Sequence, residues 1–434
     1  MADSTDQLDL PDGFDFTDPR LHGERIPFEE YAQLRKHAPV WWNAKAPGID
    51  GFQDEGYWVV SRHADIRDVS LRSDEFSSNL NGAIPRHEPS ITPDELEVTK
   101  HVLINKDAPE HTQLRKLVSR LFTPRSVESM RGELEERAAR ITTGAVACGS
   151  GDFVHQVASE LPMQAISELL GVPAEARQQL FEWSNQMTGY DDETLAGASR
   201  MASAQILGYA YELAEARRAE PLEDIISTLV QADVDGESLT PEQFGFFVVM
   251  LTVAGNETTR NATTLGLMAF LEHPDQWELF TRERPKTAAD EIIRWASPLI
   301  SQQRTALVDT EIAGTRIARG QRVVLLYGSA NFDDEVFENP TSFDILRDPN
   351  PHLAFGGTGP HYCIGANLAR MEIDLIFGAI ADHMPDITVL GDPRRLQSGW
   401  INGIKELPVD YGCPASASAS APAGSVADEC PVVH

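Results

Sequence analysis

The sequence predicts a mainly α-helical protein folded as one large domain, with small and separated β-sheets. Three observations predict it. Long stretches carry the helical spacing of apolar residues, strand signals cluster in two places, and neither a repeat nor an interior linker divides the chain. At 434 residues, 41% of them hydrophobic, the chain is long enough for two domains, yet the missing linker favours a single large core.

From the start, Met1 to Asp12 is polar and acidic, with no basic residues leading into an apolar run. It is expected to be a disordered segment, neither a signal peptide nor a membrane anchor. The folded domain is expected over residues 13–412. Tyr57–Ser61 alternates weakly as a strand and gives way to a helix-like segment, Ala64–Leu71. Met130–Ala147, rich in Glu, Arg and Ala with spaced apolar residues, reads as a surface helix. Pro241–Ala269 carries a long, mostly apolar helical stretch. Its most apolar run, Phe246–Val253, is far below the about 20 residues that span a bilayer, so it reads as a buried helix. Arg304–Leu326 contains short β-patterned runs punctuated by Gly314 and Gly320. Residues 413–434 form a tail whose stretch 415–427 is mostly Ala and Ser, a composition that cannot bury a core; Cys430 beyond it is expected to be exposed and without function.

Charge and cysteines narrow the class. Lys plus Arg number 36 against 67 Asp plus Glu, a net −31, which argues against nucleic acid and anionic lipid as main partners. Four cysteines (Cys148, Cys363, Cys413, Cys430) are sparse and irregular, so neither a zinc pattern nor a disulfide framework is expected, and a reducing, cytoplasmic location fits best.

The chemistry concentrates in Ala354–Arg370, Ala-Phe-Gly-Gly-Thr-Gly-Pro-His-Tyr-Cys-Ile-Gly-Ala-Asn-Leu-Ala-Arg. Gly356, Gly357 and Gly359 let a backbone approach a flat ligand closely. Cys363 stands just before a helix N-terminus, where free N–H groups and the helix dipole favour a thiolate. The ordinary reading of a lone cysteine is a small buried hydrophobe. A phosphate-cradling loop lacks its Gly-Lys-Ser/Thr. The extended loop makes both unattractive.

This stretch resembles the cysteine-ligand loop of the cytochrome P-450 superfamily, in which Phe, glycines, a basic residue and Cys-x-Gly follow in this order. One departure is that Phe355 stands eight residues before the cysteine, where the family spacing is seven. The resemblance implies about a dozen helices enclosing a haem b, with Cys363 as the iron ligand and a thiolate that favours O–O cleavage. It implies that Phe355, Gly356 and Gly365 contact the haem, as do Ala254 and Gly255 from the long helix, and that His111, Arg115, Arg304 and His361 reach its propionates. His111 and Arg115 are four apart in an apparent helix and so share a face, although any of these could be an ordinary surface charge.

Two further stretches carry the resemblance. Glu291-Ile-Ile-Arg294 matches the family's Glu-x-x-Arg helix, and Asn331–Arg347 resembles the meander before the cysteine loop; Glu291, Arg294 and Arg347 would form a buried structural triad. Ala254-Gly255-Asn256-Glu257-Thr258-Thr259 places glycine, an acid and hydroxyls within an apolar helix, which is costly. A helix end is the alternative, but Leu265, Leu267 and Met268 resume the apolar pattern. By resemblance, Gly255 would open the helix for dioxygen, Thr258 would hydrogen-bond the oxygen under activation, and Glu257 (Asp in many members) would relay protons.

Within the superfamily the resemblance is to enzymes that oxidise the terminal carbon of the cholesterol side chain. It rests on Phe14–Pro19, Ala38–Asn43, Phe246–Met250, Ser398–Gly403 and the extra residue before Cys363, a feature shared with a branch acting on methyl-branched lipids. Phe246, Met250, Val253, Glu257 and Thr258 fall at helical spacings, giving an apolar wall that leads to the acid–alcohol pair, and Trp400 is expected as a lid or wall. Plain core packing is the alternative for each apolar residue. With no flavin fingerprint and no iron–sulfur cysteine set, electrons are expected from a ferredoxin and its reductase, docking either at Lys116, Arg120, Arg125 and Arg131 or elsewhere if these are only a solvated face. A monomer using dioxygen and a sterol is expected. A haem-thiolate sensor without oxygenase chemistry is the alternative of another class, and the pair Glu257–Thr258 speaks against it.

Overall fold

A computed structural model describes residues 8, 10–11, 13–45, 52, 54–87, 91–188, 198–222, 225–231 and 239–412. The predicted C-terminal tail, 413–434, and Cys430 with it lie outside these residues. Near the other end, Leu8 and Leu10 pack against a cluster built on Phe16, Tyr31 and Val59.

The organising element is a central helix, Pro241–Glu272. Thr240 caps it and accepts from the Gln243 N–H at 3.1 Å, while the Gln243 side chain returns to the Thr240 N–H at 3.0 Å. Pro241 sits where a missing N–H costs nothing. The helix runs for 32 residues, about 48 Å at the usual rise, without a break at Gly255 or at the polar stretch that follows. It persists because its surroundings are protein on nearly every side: Phe244, Val248, Leu267 and Phe270 are fully buried. Helices Glu160–Leu169, Ala198–Ala219, Ala288–Ala296 and Ala366–His383 pack around it. Helix Pro124–Cys148, longer at both ends than the predicted Met130–Ala147, lies against Ala366–His383. Gly149, at φ +78°, ends it in a conformation that glycine adopts freely.

The strand signals resolve into one five-stranded sheet and three small ones. Its strands are β1 (Val40–Ala44), β2 (Gly56–Val60), β3 (Phe76–Ser77), β4 (Ser301–Ala306) and β5 (Arg322–Leu326), in the order β1–β2–β5–β4–β3. The β2–β5 pair is parallel, with Trp58 opposite Val323; the others are antiparallel, with Val40 opposite Val60 and Ser301 opposite Leu326. Strands β2 and β5 match the predicted strand regions. Sequence patterning did not assign β1 or the short sheet of Ser150–Asp152, Thr388–Val389 and Pro408–Asp410, because runs of two to five residues give too little periodicity.

One region is fastened by charge. Glu291 and Arg294, both fully buried, pair through two 2.8 Å hydrogen bonds. Arg347 adds a third bond to Glu291 at 3.1 Å, and Arg294 donates to the carbonyls of Asn331 and Pro340. The expected triad thus ties the Ala288–Ala296 helix to the meander. Among the described residues no helix is long and apolar enough to cross a membrane.

Candidate active site

A cavity of about 210 Å³ lies between the central helix and the loop that leads into Ala366–His383. Thr258 and Cys363 line it together, with Ala254, Gly255 and Met250 from the central helix and Gly356 and Gly365 from the loop. The remaining wall is mostly apolar, with Leu103, Phe122, Ile166, Leu251, Leu299 and Leu368.

The loop is shaped by its glycines. Gly356 has φ +93° and Gly359 φ +82°, and a Cβ on Gly357 would stand 2.3 Å from Ser70 Oγ. The Cys363 N–H donates to the Phe355 carbonyl at 2.9 Å, so the extra residue is absorbed in the turn and Phe355 still lines the cavity. The Arg370 guanidinium lies 4.6 Å from the Phe355 ring centre and donates to Asp290 at 2.7 Å, while His352 meets the same Asp290 oxygen at 3.0 Å. Asp290 neighbours Glu291, so one helix holds both the meander and the cysteine loop.

Cys363 is exposed to the cavity and lines it. Burial pushes the thiol up; a backbone hydrogen bond from Gly365 and the charges of Arg115 and Arg370 pull it back toward thiolate. His111, Arg115 and His361 line the same space, the two imidazole rings 4.2 Å apart. Arg304 is not in the lining; it is buried behind the rim, donating to the Gln303 carbonyl, and its charge is felt at both histidines. Burial and this neighbouring positive charge bring His361 down to about 2 and His111 down to about 4, and burial lowers both arginines. Neither Arg115 nor Arg304 has a carboxylate within 4.0 Å among the described residues. Buried cations without counter-ions are expensive, so the cluster fits a ligand that brings anionic groups. A flat group with carboxylates on one edge and a soft metal site over a sulfur satisfies both halves of the cavity.

On the central helix, the Thr258 hydroxyl donates to the Ala254 carbonyl at 2.7 Å. Glu257 is 1% exposed, ion-paired with Arg260 at 2.5 Å, and outside the lining. Gly255 has a packing role, since a Cβ there would stand 2.4 Å from Ile166 Cδ1; the unbroken helix shows no opening at it. Three expected substrate contacts lie elsewhere. Phe246 stacks on His101 at 5.2 Å, and neither Val253 nor Trp400 lines the cavity. The face turned inward keeps Met250 and Thr258 of the expected residues and adds Leu251, Ala254 and Ala262, flanked by Gly255 and Thr259. Because the helix is apolar almost all round, periodicity fixes its face poorly, and the predicted face is off by about one residue.

Sequence reasoning also missed Ile166, Gln302 and Glu372 in the lining. Only Glu372 left a signal: an acid between Leu368, Met371, Ile373 and Ile376 on an otherwise apolar helix face. Burial pushes its carboxyl up to about 8, against a hydrogen bond from Thr259, and its Oε1 has no partner.

Comparisons with known proteins agree with this geometry. The sequence profile of the cytochrome P450 family matches residues 286–383, from the Glu-x-x-Arg helix through the cysteine helix. A "Steroid C26-monooxygenase" of Rhodococcus jostii is 63% identical over 413 residues, covering 94% of this chain and 88% of that protein. A "Methyl-branched lipid omega-hydroxylase" of Mycobacterium tuberculosis is 40% identical over 393 residues, covering 88% and 90%. The structure of a Mycobacterium marinum cytochrome P450 in complex with pseudoionone superposes with a TM-score of 0.83 at 34% identity, over 88% of this chain and 94% of that one. Similarity of this extent, centred on the loop that presents Cys363, makes the chain a member of the cytochrome P450 family, whose common prosthetic group is haem.

Proposed function

We propose that the chain is a haem-thiolate monooxygenase that hydroxylates the terminal methyl, C26 or C27, of a sterol side chain, cholesterol or cholest-4-en-3-one, and can carry it on to the acid. The observation that supports it most is a single apolar cavity faced by the Cys363 sulfur, by Thr258 and by basic groups without counter-ions. The sterol comes from the relative at 63% identity. A methyl-branched lipid is the second reading, favoured by the relative at 40%.

The prosthetic group proposed is haem b. When bound, it supplies the activation of dioxygen by which one oxygen atom enters a C–H bond and the other leaves as water, consuming two electrons and two protons. The protein does the rest. Cys363 holds the iron, and its thiolate character is supported by the Gly365 N–H, Arg115 and Arg370. Arg115 and, from behind, Arg304 would neutralise the propionates, and His111 and His361 would donate hydrogen bonds to them. Thr258 turns its hydroxyl from Ala254 toward the cavity to hold a proton there, and Glu257 supplies that proton after leaving Arg260. Leu251, Ile166 and Leu299 exclude water and orient the apolar chain.

Electrons are proposed to come from a ferredoxin with its reductase. Lys116 and Arg125 are exposed and Arg131 is half-buried; Arg131 pairs with Glu128 at 2.9 Å and Asp374 at 3.4 Å, which weakens it as a docking cation. A cytoplasmic monomer suits this role. The test is optical titration of the purified protein with cholesterol, cholest-4-en-3-one and a methyl-branched fatty acid, followed by turnover. Tight binding of a sterol with side-chain hydroxylation is expected. Preference for the fatty acid selects the second reading, and sterol binding without any oxidised product sinks the oxygenase.

A further inference from the structure

Three of the sequence stretches that the reaction leaves unused meet at one place. Asp15, 7% exposed, accepts from the Thr17 N–H at 2.8 Å and the Thr17 hydroxyl at 2.8 Å, and receives the Tyr57 hydroxyl on the same oxygen. Its second oxygen takes Arg86 at 3.2 Å, and Arg86 also donates to the Thr17 carbonyl at 3.0 Å. Asn43 on β1 closes the knot, accepting from the Phe16 N–H at 3.1 Å and donating to the Phe14 carbonyl at 3.0 Å. A segment of six residues near the N-terminus is therefore held rigidly by buried polar bonds on the sheet.

The other side of that segment touches a loop near the C-terminus. A Cβ on Gly399 would stand 2.0 Å from the Thr17 carbonyl oxygen, so the two backbones are in direct contact. Gly399 and Trp400 then grip β4 and the turn before it. The Ser301 hydroxyl donates to the Gly399 carbonyl at 3.2 Å, the Ile300 N–H donates to the Trp400 carbonyl at 2.8 Å, and the Asn402 N–H donates to the Pro298 carbonyl at 3.0 Å. Pro298, Leu299 and Gln302 are cavity wall. A continuous line of backbone contact thus leads from Asp15 to the wall that faces Cys363.

We propose that Asp15 is a positioning residue for substrate: by fixing Thr17 against Gly399 it sets the Pro298–Gln302 wall, and so determines which carbon of an apolar chain is presented for oxidation. A terminal methyl is less easily oxidised than the methine that bears it in a sterol side chain, so terminal selectivity has to be imposed by the position of the wall. Networks of fully satisfied buried polar groups hold such positions well, and small displacements of a bound chain cost much more in orientation than in affinity.

This inference rests on the sterol reading, and its test separates the two. The haem-loaded full-length protein, Asp15→Ala, Asp15→Asn and Gly399→Ala are compared by cholest-4-en-3-one titration, by the ratio of terminal to neighbouring hydroxylation, by the thiolate spectrum of the carbon monoxide complex and by thermal unfolding. Asp15→Ala and Gly399→Ala are expected to keep the thiolate spectrum while the terminal-to-neighbouring ratio falls roughly tenfold or more. Asp15→Asn, which keeps the acceptor for Thr17, is expected to restore most of the ratio. If Asp15→Ala does not fold, Gly399→Ala decides alone, because its added methyl deletes no polar group of the knot and acts by pressing on the Thr17 carbonyl. A lowered unfolding temperature with unchanged product ratio makes the knot merely structural and overturns the inference alone. Absence of sterol binding by the unaltered protein overturns the sterol reading and this inference with it.

Discussion

Asp290 joins Arg370 to His352 through one carboxylate oxygen, at 2.7 Å and 3.0 Å, and thereby binds the cysteine helix to the helix that carries Glu291. Arg370 in turn lies over Phe355, whose carbonyl receives the Cys363 N–H. The ion pair is one-third exposed on both sides, so its direct worth is about 1 kcal/mol or less. Its larger effect is on loop geometry and on the positive charge near the sulfur. Arg370→Ala is therefore expected to leave the fold intact while part of the carbon monoxide complex loses its thiolate spectrum. Arg370→Lys is expected to keep the charge but lose the planar contact with Phe355, giving an intermediate fraction. Equal spectra for all three proteins would show that Phe355 and the loop need no such support.

Glu291 and Arg294 predict a different kind of failure. Both are fully buried, and Glu291 also accepts from Arg347, Asn350 and the Asp344 N–H. Removing Glu291 strands the Arg294 charge among apolar neighbours such as Phe337, which lies 5.4 Å away, and removing Arg294 leaves buried Glu291 with Arg347 as its one cation among the described residues. Arg294→Met and Glu291→Gln should each cost about 3–5 kcal/mol. Denaturant unfolding of protein without haem tests this, and a cost below about 1 kcal/mol would reduce the triad to an incidental contact.

These two pairs also mark how far the sequence can be read. Glu291, Arg294 and Cys363 are legible because a fixed spacing and a glycine-rich loop constrain them locally. Asp290, adjacent to Glu291, was not legible, since its partner Arg370 is eighty residues away and nothing in either local pattern announces the meeting. The central helix was legible as an element but only partly in its rotation: of the expected face Met250 and Thr258 line the cavity, while Phe246 and Val253 do not and Leu251, Ala254 and Ala262 do. On a helix buried on all sides, neighbours decide the rotation, and those neighbours come from distant segments such as Ile166 against Gly255. The Glu257–Arg260 pair escaped for the same reason, because two charges three apart reveal nothing about which way the carboxylate turns.

Thr258 is the member of the expected acid–alcohol pair that faces the cavity, and its hydroxyl donates to the Ala254 carbonyl. Thr258→Ala removes the hydroxyl without opening a large void, so haem and substrate binding should be retained. Product formed per electron consumed should fall by roughly tenfold or more, up to the about 10²–10⁴ that a positioned proton donor commonly contributes. The missing electrons should reappear as hydrogen peroxide or water. Thr258→Ser should restore coupling, as it returns the hydroxyl. If product per electron is unchanged in Thr258→Ala, the proton is held by some other group.

Glu372 gives a pH dependence whose sign can be worked out. Burial raises its carboxyl from 4.5 to about 8, opposed by a hydrogen bond from Thr259. Between these values the folded state holds a proton that the unfolded state releases, so the native protein loses stability from this group as pH rises from about 4.5 to about 8, with no further loss above. Glu372→Gln keeps the shape and removes the titration. The variant should therefore gain on the unaltered protein progressively across that window, and hold a constant advantage at higher pH. Denaturant unfolding of both proteins at several pH values from about 4.5 to above about 8 measures the difference. A difference that does not change with pH would mean that Glu372 ionises in the folded protein as it does in water, and that its cavity-facing carboxyl is wet rather than dry.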